Sequence, residues 1–351
     1  MRYVNIDEVE PGDVIARSIY TSDGLTLLQA DMQLTVGMIN KLRRFGVTML
    51  SIKDSRFQDI KMEDVVSETT RKEAIANLSS AVQCVQTGKG IDLRGIQKSV
   101  NNIIDETMRN RRVLLNLGEI RTNDNQLFIH SLNVCMMSTV VGIALGYNYN
   151  QLKELAIGAL LHDIGKVAQD EPDAYGAAGE QNDHHTWRGF NILRKKHDMS
   201  IVSAHVALQH HEWVNGSGEP RGLTGPEIHD FAKIVAIANY YDNLISPFSE
   251  EQCHPYEACE KVMALADRQF DLRLVIQFLR SVAMYPTGSS LKLSTGEIGV
   301  VIDQNRGLPA RPVVRVIKRD KGAVHAVDED HETYDVDLSQ ETTVFITGVL
   351  E

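Results

Sequence analysis

Ten of the twelve histidines fall between His130 and His254, about a third of the chain. Random placement rarely concentrates imidazoles in this way, and such a cluster points to metal ligation. His130 lies near the start of an apolar helical run, FIHSLNVCMMSTVVGIAL. His162 and Asp163 end a second one, LAIGALLHDIGKV, in which Leu155, Ala159 and Leu160 mark a buried face. An ionised Asp163 at the inner end of an apolar helix needs a compensating positive charge, and a divalent cation supplies one. His184–His185 and His210–His211 follow in two further helical segments. Each group alone has a plainer reading: a hydrogen-bonded core histidine, an imidazole–carboxylate pair, two solvated loops. Four such groups on four helical segments favour one shared site. Imidazole with carboxylate suits zinc, iron or manganese better than calcium or magnesium. The chain is thereby constrained to a bundle whose separate helices converge on a common void.

The rest of the 351 residues divides by pattern. Residues 1–58 read as a small mixed α/β unit, with strands at Val14–Tyr20 and after Asp23-Gly24. A helix VGMINKLRRFG is capped by Thr35 and stopped at Gly46, and TMLSI follows as a strand. Residues 59–120 read as a charged, amphipathic helical connector that could signal or dimerise. Residues 121–285 are helical by period, and 286–351 alternate β-branched residues between Ser-Thr-Gly and Asn-Arg-Gly turns. The expected class is therefore mainly α, with a mixed N-terminal unit and a β-rich C-terminal extension. A net charge of -11 argues against a nucleic-acid polymer as main partner. The apolar run Val134–Gly146 is too short to span a bilayer, and the start shows no basic-then-apolar leader. Cys84, Cys135, Cys253 and Cys259 form no C-x-x-C pair, so a reducing cytoplasm is expected.

The stretches HSLNV, LLHDIGKV, HTWRGFNIL, HHEWVNGSGEPRGL and AKIVAIANYYDNL, in this order, resemble the HD-GYP family of HD-domain metal-dependent phosphohydrolases. The flanking N-terminal unit and the YPTGSSLKLSTGEIGVV tail are similar to segments that accompany this domain in bacterial proteins. The resemblance implies an HD-domain helical bundle and a phosphodiesterase that hydrolyses the second messenger cyclic di-GMP to linear pGpG or GMP. It also implies two divalent transition metals, iron or manganese, sharing a hydroxide that attacks phosphorus. Carried over by position, His130, His162, Asp163, His185, His210 and His211 are the implied ligands, with Asp163 bridging. His185 is chosen over His184 because it lies four residues before Gly189, as the family's H-x-x-x-G spacing requires. Lys166 matches the lysine that reaches the scissile phosphate. Gln126 stands where a three-metal subset has glutamate, which favours two metals.

The resemblance is interrupted at several points. Glu219 replaces the family tyrosine, with Arg221 near enough in sequence to neutralise it and bind substrate, and Asn215 replaces an aspartate. Asn239 takes the place of the last metal ligand, an aspartate, and is expected to serve as a poorer ligand through its neutral amide oxygen, while Asp242 keeps the second acid of that run. SPFSEEQCHPYEA stands where an Arg-Pro-Tyr-Arg segment supplies phosphate-binding cations, and the link from Lys166 to His185 is short and lacks an Ile-Pro-Asp pattern. These changes leave an alternative: a weakened cyclic di-GMP sensor or a scaffold, with a protein partner at the 215–222 turn and a homodimer as further expectations.

Overall fold

The computed structural model describes residues 2–54, 64–111, 113–115, 117, 120–168, 184–317 and 333–350. The part of the short link from Lys166 to His185 that spans residues 169–183, and the boundary near residue 58, lie outside the described residues.

In the N-terminal part, β1 (Arg2–Asn5) pairs antiparallel with β4 (Met49–Ile52), and β2 (Ile19–Tyr20) with β3 (Thr26–Leu28). The strand expected over Val14–Tyr20 is shorter than its alternation suggested, because Val14 and Ile15 make only isolated bridges. Helix α1 (Val36–Arg44) begins where Thr35 Oγ1 accepts from Met38 N at 3.3 Å. Ile15, Ile19, Leu34, Leu42 and Leu50 form a separate small core there.

Helices α2 (Glu68–Gln86) and α3 (Leu93–Arg109) follow, and their buried residues, such as Ile75, Leu78, Ile96 and Ile103, belong to one apolar cluster with the helices beyond. That cluster continues through α4 (Gln126–Ala144), α5 (Tyr149–Leu160), α6 (His185–Arg194), α7 (Ile201–Gln209), α8 (Asp230–Leu244), α9 (Pro255–Ala264) and α10 (Leu272–Leu279). Helix α4 is 19 residues long and apolar enough to cross a membrane, longer than the run read from sequence, but 78% of its apolar window is buried inside the protein. It is buried nearly all round because neighbours pack on every side.

The chain ends in a five-stranded antiparallel sheet of order β8-β7-β6-β5-β9, from β5 (Ser290–Leu293), β6 (Ile298–Asp303), β7 (Val313–Ile317), β8 (Thr333–Asp337) and β9 (Ile346–Leu350). Leu291, Leu293, Val301, Val314 and Val316 close its own core. The molecule is mainly α, as its periodicity implies.

Two close approaches matter for the site. A Cβ on Gly158 of α5 would lie 2.8 Å from Val206 Cβ of α7, so these helices touch at their backbones. Their C-terminal ends therefore emerge side by side, one leading to His162 and the other to His210. A Cβ on Gly165 would lie 1.9 Å from the carbonyl oxygen of His185, which locks the turn after Asp163 against the start of α6.

Candidate metal centre

Helices α5 and α7 end with the same device. His162 Nδ1 lies 2.8 Å from the Ala159 carbonyl, and His210 Nδ1 lies 2.9 Å from the Ala207 carbonyl. Those carbonyls are in the last helical turn and lack intrahelical partners, so each ring donates its Nδ1–H to one. The Nε2 of each ring is then a bare lone pair aimed into the void. Both helix C-termini also carry partial negative charge toward it, which favours a cation.

From α4, His130 reaches the same void, its Nδ1 2.6 Å from Asp242 Oδ2 on α8. A carboxylate only accepts, so His130 also donates from Nδ1 and presents a bare Nε2. That Nε2 is 3.3 Å from His162 Nε2. Two lone pairs at that separation repel unless a cation lies between them.

Asp163 sits in the middle, 2% exposed. Its Oδ2 is 3.6 Å from His130 Nε2 and 3.5 Å from His162 Nε2, and its Oδ1 is 3.4 Å from His185 Nε2 and 3.5 Å from His210 Nε2. Oδ1 is buried without a hydrogen bond. Separations of this size are those of ligands sharing one cation at about 2.1 Å from each. Two groups result, His130–His162–Asp163 and Asp163–His185–His210–His211, each with its ligand atoms within 4.8 Å of one another. The donors fit a borderline transition metal, and Asp163 is common to both groups.

The electrostatics agree. Burial alone would raise the Asp163 pKa, but the field of His162, the adjacent His185 and His210 and the Lys166 ammonium outweigh it and hold the carboxyl well below its usual range. Burial drives His162 down to about 3 and His211 to about 2, and it lowers His210 as well. These rings are neutral near pH 7, the form a metal requires.

The other expected residues occupy less central places. Lys166, in the 3-10 turn Ile164–Val167, donates from Nζ to Asp163 Oδ2 at 2.5 Å with its side chain 44% exposed. Asn239 is buried on α8, one turn before Asp242, and its Oδ1 accepts from Asn243 Nδ2 at 3.2 Å. Glu219, on the turn after α7, is 74% exposed and lies 3.7 Å from His184 Nε2. The ionisable neighbour of Glu219 is therefore His184, where the sequence had suggested Arg221. Arg221 is exposed, and His205 is lowered by burial first and then by the Arg221 charge.

Three features were not read from the sequence. Glu212 is buried and accepts from Arg221 N and Leu223 N, both at 2.8 Å, so its carboxylate holds the turn behind the two histidines. A Cβ on Gly218 would lie 2.3 Å from Trp213 N, which is why that turn requires glycine. His184 caps α6 through Nδ1, and its ring lies against that of His185, centroids 4.5 Å apart and planes tilted by 39°. One signal was available for the rings: Ala159-Leu-Leu-His162 and Ala207-Leu-Gln-His210 repeat the spacing that places each histidine on the carbonyl three residues back.

The chain folds as a helical bundle in which Asp163 lies between two histidine groups, and comparisons with known proteins point to the class of that bundle. Residues 112–274 match the family described as HD domain, and residues 291–351 match the KOW domain associated with HD domain. The HD-domain match thus covers the helical part of the chain that carries the histidine groups, and the likeness to HD-GYP proteins carried by its motifs is borne out. It is 28% identical over 254 residues to the cyclic di-GMP phosphodiesterase PA4108 of Pseudomonas aeruginosa, covering 69% of this chain and 60% of that one. It is 29% identical over 231 residues to the cyclic di-GMP phosphodiesterase response regulator RpfG of Xanthomonas campestris pv. campestris, covering 60% of this chain and 59% of that one. The chain thus spans about three-fifths of the length of these relatives. Among solved structures, Bd1817, an HDG"Y"P protein from Bdellovibrio bacteriovorus, aligns at 16% identity with a TM-score of 0.47, over 79% of this chain and 97% of that one.

Proposed function

We propose that this chain is a metal-dependent phosphodiesterase acting on a cyclic dinucleotide, with cyclic di-GMP as the first candidate and linear pGpG or GMP as product. One observation supports this most: the two oxygens of a single buried carboxylate each face a different set of histidine nitrogens. The names of the relatives, cyclic di-GMP and 3'3'-cGAMP phosphodiesterases, support the substrate class.

His130, His162 and Asp163 would hold one divalent cation, and Asp163, His185, His210 and His211 a second, with iron or manganese suited to the donors. When bound, two such ions supply Lewis acidity and an acidified water for attack on phosphorus. The chain's own groups set the stage for that chemistry. Ala159 and Ala207 carbonyls and the Asp242 carboxylate keep the Nδ1 protons in place, so that each Nε2 stays a ligand. Lys166 is half exposed at the edge of the site, where its ammonium can meet a non-bridging phosphate oxygen. The cytoplasm is the proposed compartment, a reading that four free thiols support.

Manganese-loaded protein should convert cyclic di-GMP to linear product, as followed by chromatography. Fully metallated protein that leaves cyclic di-GMP and 3'3'-cGAMP intact would overturn the proposal. A second reading, ligand reception without turnover, is favoured by Glu219, a carboxylate that an anionic ligand would meet beside His184. Calorimetric binding of cyclic di-GMP without hydrolysis would select it.

A further inference from the structure

Asp242 belongs to neither group that could hold a cation, yet both of its oxygens are engaged. Oδ2 takes the His130 Nδ1 proton at 2.6 Å, while Oδ1 accepts from Arg121 Nη2 at 2.6 Å and from Asn133 Nδ2 at 2.9 Å. Asp242 is 0% exposed and Arg121 7%, so this charge pair is dry and its removal cannot be made good by solvent. Arg121 does not come from the helices. It stands in the segment leading into α4, which is held on its other side by the N-terminal part: Asn123 N donates to Phe45 O at 2.9 Å and Asn125 Nδ2 to Tyr20 O at 2.8 Å.

We infer that Arg121 is a positioning residue for the metal centre, acting through Asp242 to fix the tautomer and ring orientation of His130. This rests on the metal-centre reading above and deepens it. His130 and His162 can share a cation only while both Nε2 atoms keep their lone pairs turned to the same point. A carboxylate held on three sides presents one oxygen to His130 in one direction; a carboxylate that has lost its guanidinium turns to find another donor and takes the ring with it. The second group does not depend on this chain of contacts, because His210 is oriented by Ala207 instead. The effect of Arg121 is therefore specific to the His130–His162–Asp163 side.

The test titrates manganese into chelated full-length chain, wild type beside Arg121→Met and Arg121→Lys. Calorimetry and the manganese paramagnetic resonance spectrum count and resolve the sites, and circular dichroism checks folding. Wild type should show two sites. Arg121→Met should lose about 10–100-fold in affinity at one site and keep the other, the usual cost of removing an outer partner of a metal-bound histidine. Arg121→Lys should recover part of that loss, since it restores the charge but not the planar fork. Two sites of wild-type affinity in folded Arg121→Met, or equal losses at both, overturn the inference. If Arg121→Met does not fold, Asp242→Asn, which keeps the shape, carries the same expectation and the same contrary results. Wild-type protein that takes up no manganese overturns the metal-centre reading and this inference together.

Discussion

The two halves of the candidate site are built differently. On the inner side, His162 is 0% exposed and His130 7%, and the second nitrogen of each ring is tied to a carbonyl or a carboxylate. On the outer side, His185 and His211 are only partly buried, and among the described hydrogen bonds only His210 is anchored through its second nitrogen. Exposed Glu219 borders that outer half beside His184, while Lys166, its side chain 44% exposed, reaches Asp163 Oδ2, the oxygen that faces the inner pair. Fixed, dry ligands raise affinity; open, less constrained ones leave room for substrate. In the proposed reading, the inner half retains a cation and the outer half admits a phosphodiester.

The most severe way to break this contrast is to remove what both halves share. Asp163→Ala should abolish turnover, a loss of at least about a thousandfold, and should deplete both cations, because among the described residues only Asp163 belongs to both groups. Elemental analysis and a phosphodiesterase assay on the same preparation check it. Activity near wild type would show that Asp163 bridges nothing.

Lys166→Ala removes a charge at the edge of the site without removing any of the grouped histidines or Asp163. Turnover should fall by about 10–1000-fold through loss of a charge near the phosphate, with metal content unchanged. Equal losses of metal and rate would place Lys166 among the groups that build the centre.

Acidification probes the buried rings. His162 is lowered to about 3 and His211 to about 2, and His210 is lowered too, each chiefly by burial. An unfolded chain binds protons at these rings near pH 6.5, whereas the folded chain does not. Their contribution to stability is thus whole above about pH 6.5 and is lost progressively as pH falls toward the folded values. Asp242, lowered to about 2 chiefly by Arg121 and His130 against the opposing effect of burial, adds loss of the same sign below about pH 4. Thermal melts of chelated protein should show Tm falling steadily from pH 7.5 to pH 5, and His162→Gln should flatten part of that slope. A Tm that is level across this range contradicts buried neutral rings.

The smallest effect belongs to the rim. Glu219→Gln should leave metal content alone and lower KM for an anionic dinucleotide by about 2–5-fold, an effect that salt weakens, because the carboxylate is well solvated. A KM that rises would make Glu219 a contact for the substrate instead of a repulsive neighbour.

Much of the candidate site was legible because its candidate ligands are placed by local structure: His162, Asp163, His210 and His211 lie at the ends of apolar helices, where period and burial can be read locally. The contacts that orient them were not. Arg121 and Asp242 are 121 residues apart, and nothing in the local sequence announces that an arginine there is buried. The turn after α7 showed its glycines but not the reason for them, which is the approach of Gly218 to the backbone of Trp213. For the fold, helical period found α2 and α3 but could not show that their apolar faces pack into the bundle core, since periodicity reveals a face and not its partner. The β-rich end was readable from alternation, while the order β8-β7-β6-β5-β9 depends on pairings between strands far apart in sequence.

The most direct test of the account is anomalous diffraction from crystals of manganese- or iron-loaded protein, recorded at the metal's absorption edge. Two peaks should appear on opposite sides of the Asp163 carboxylate, one within bonding distance of His130 and His162 and the other of His185, His210 and His211. Peaks elsewhere, or none in metal-replete crystals, would contradict it.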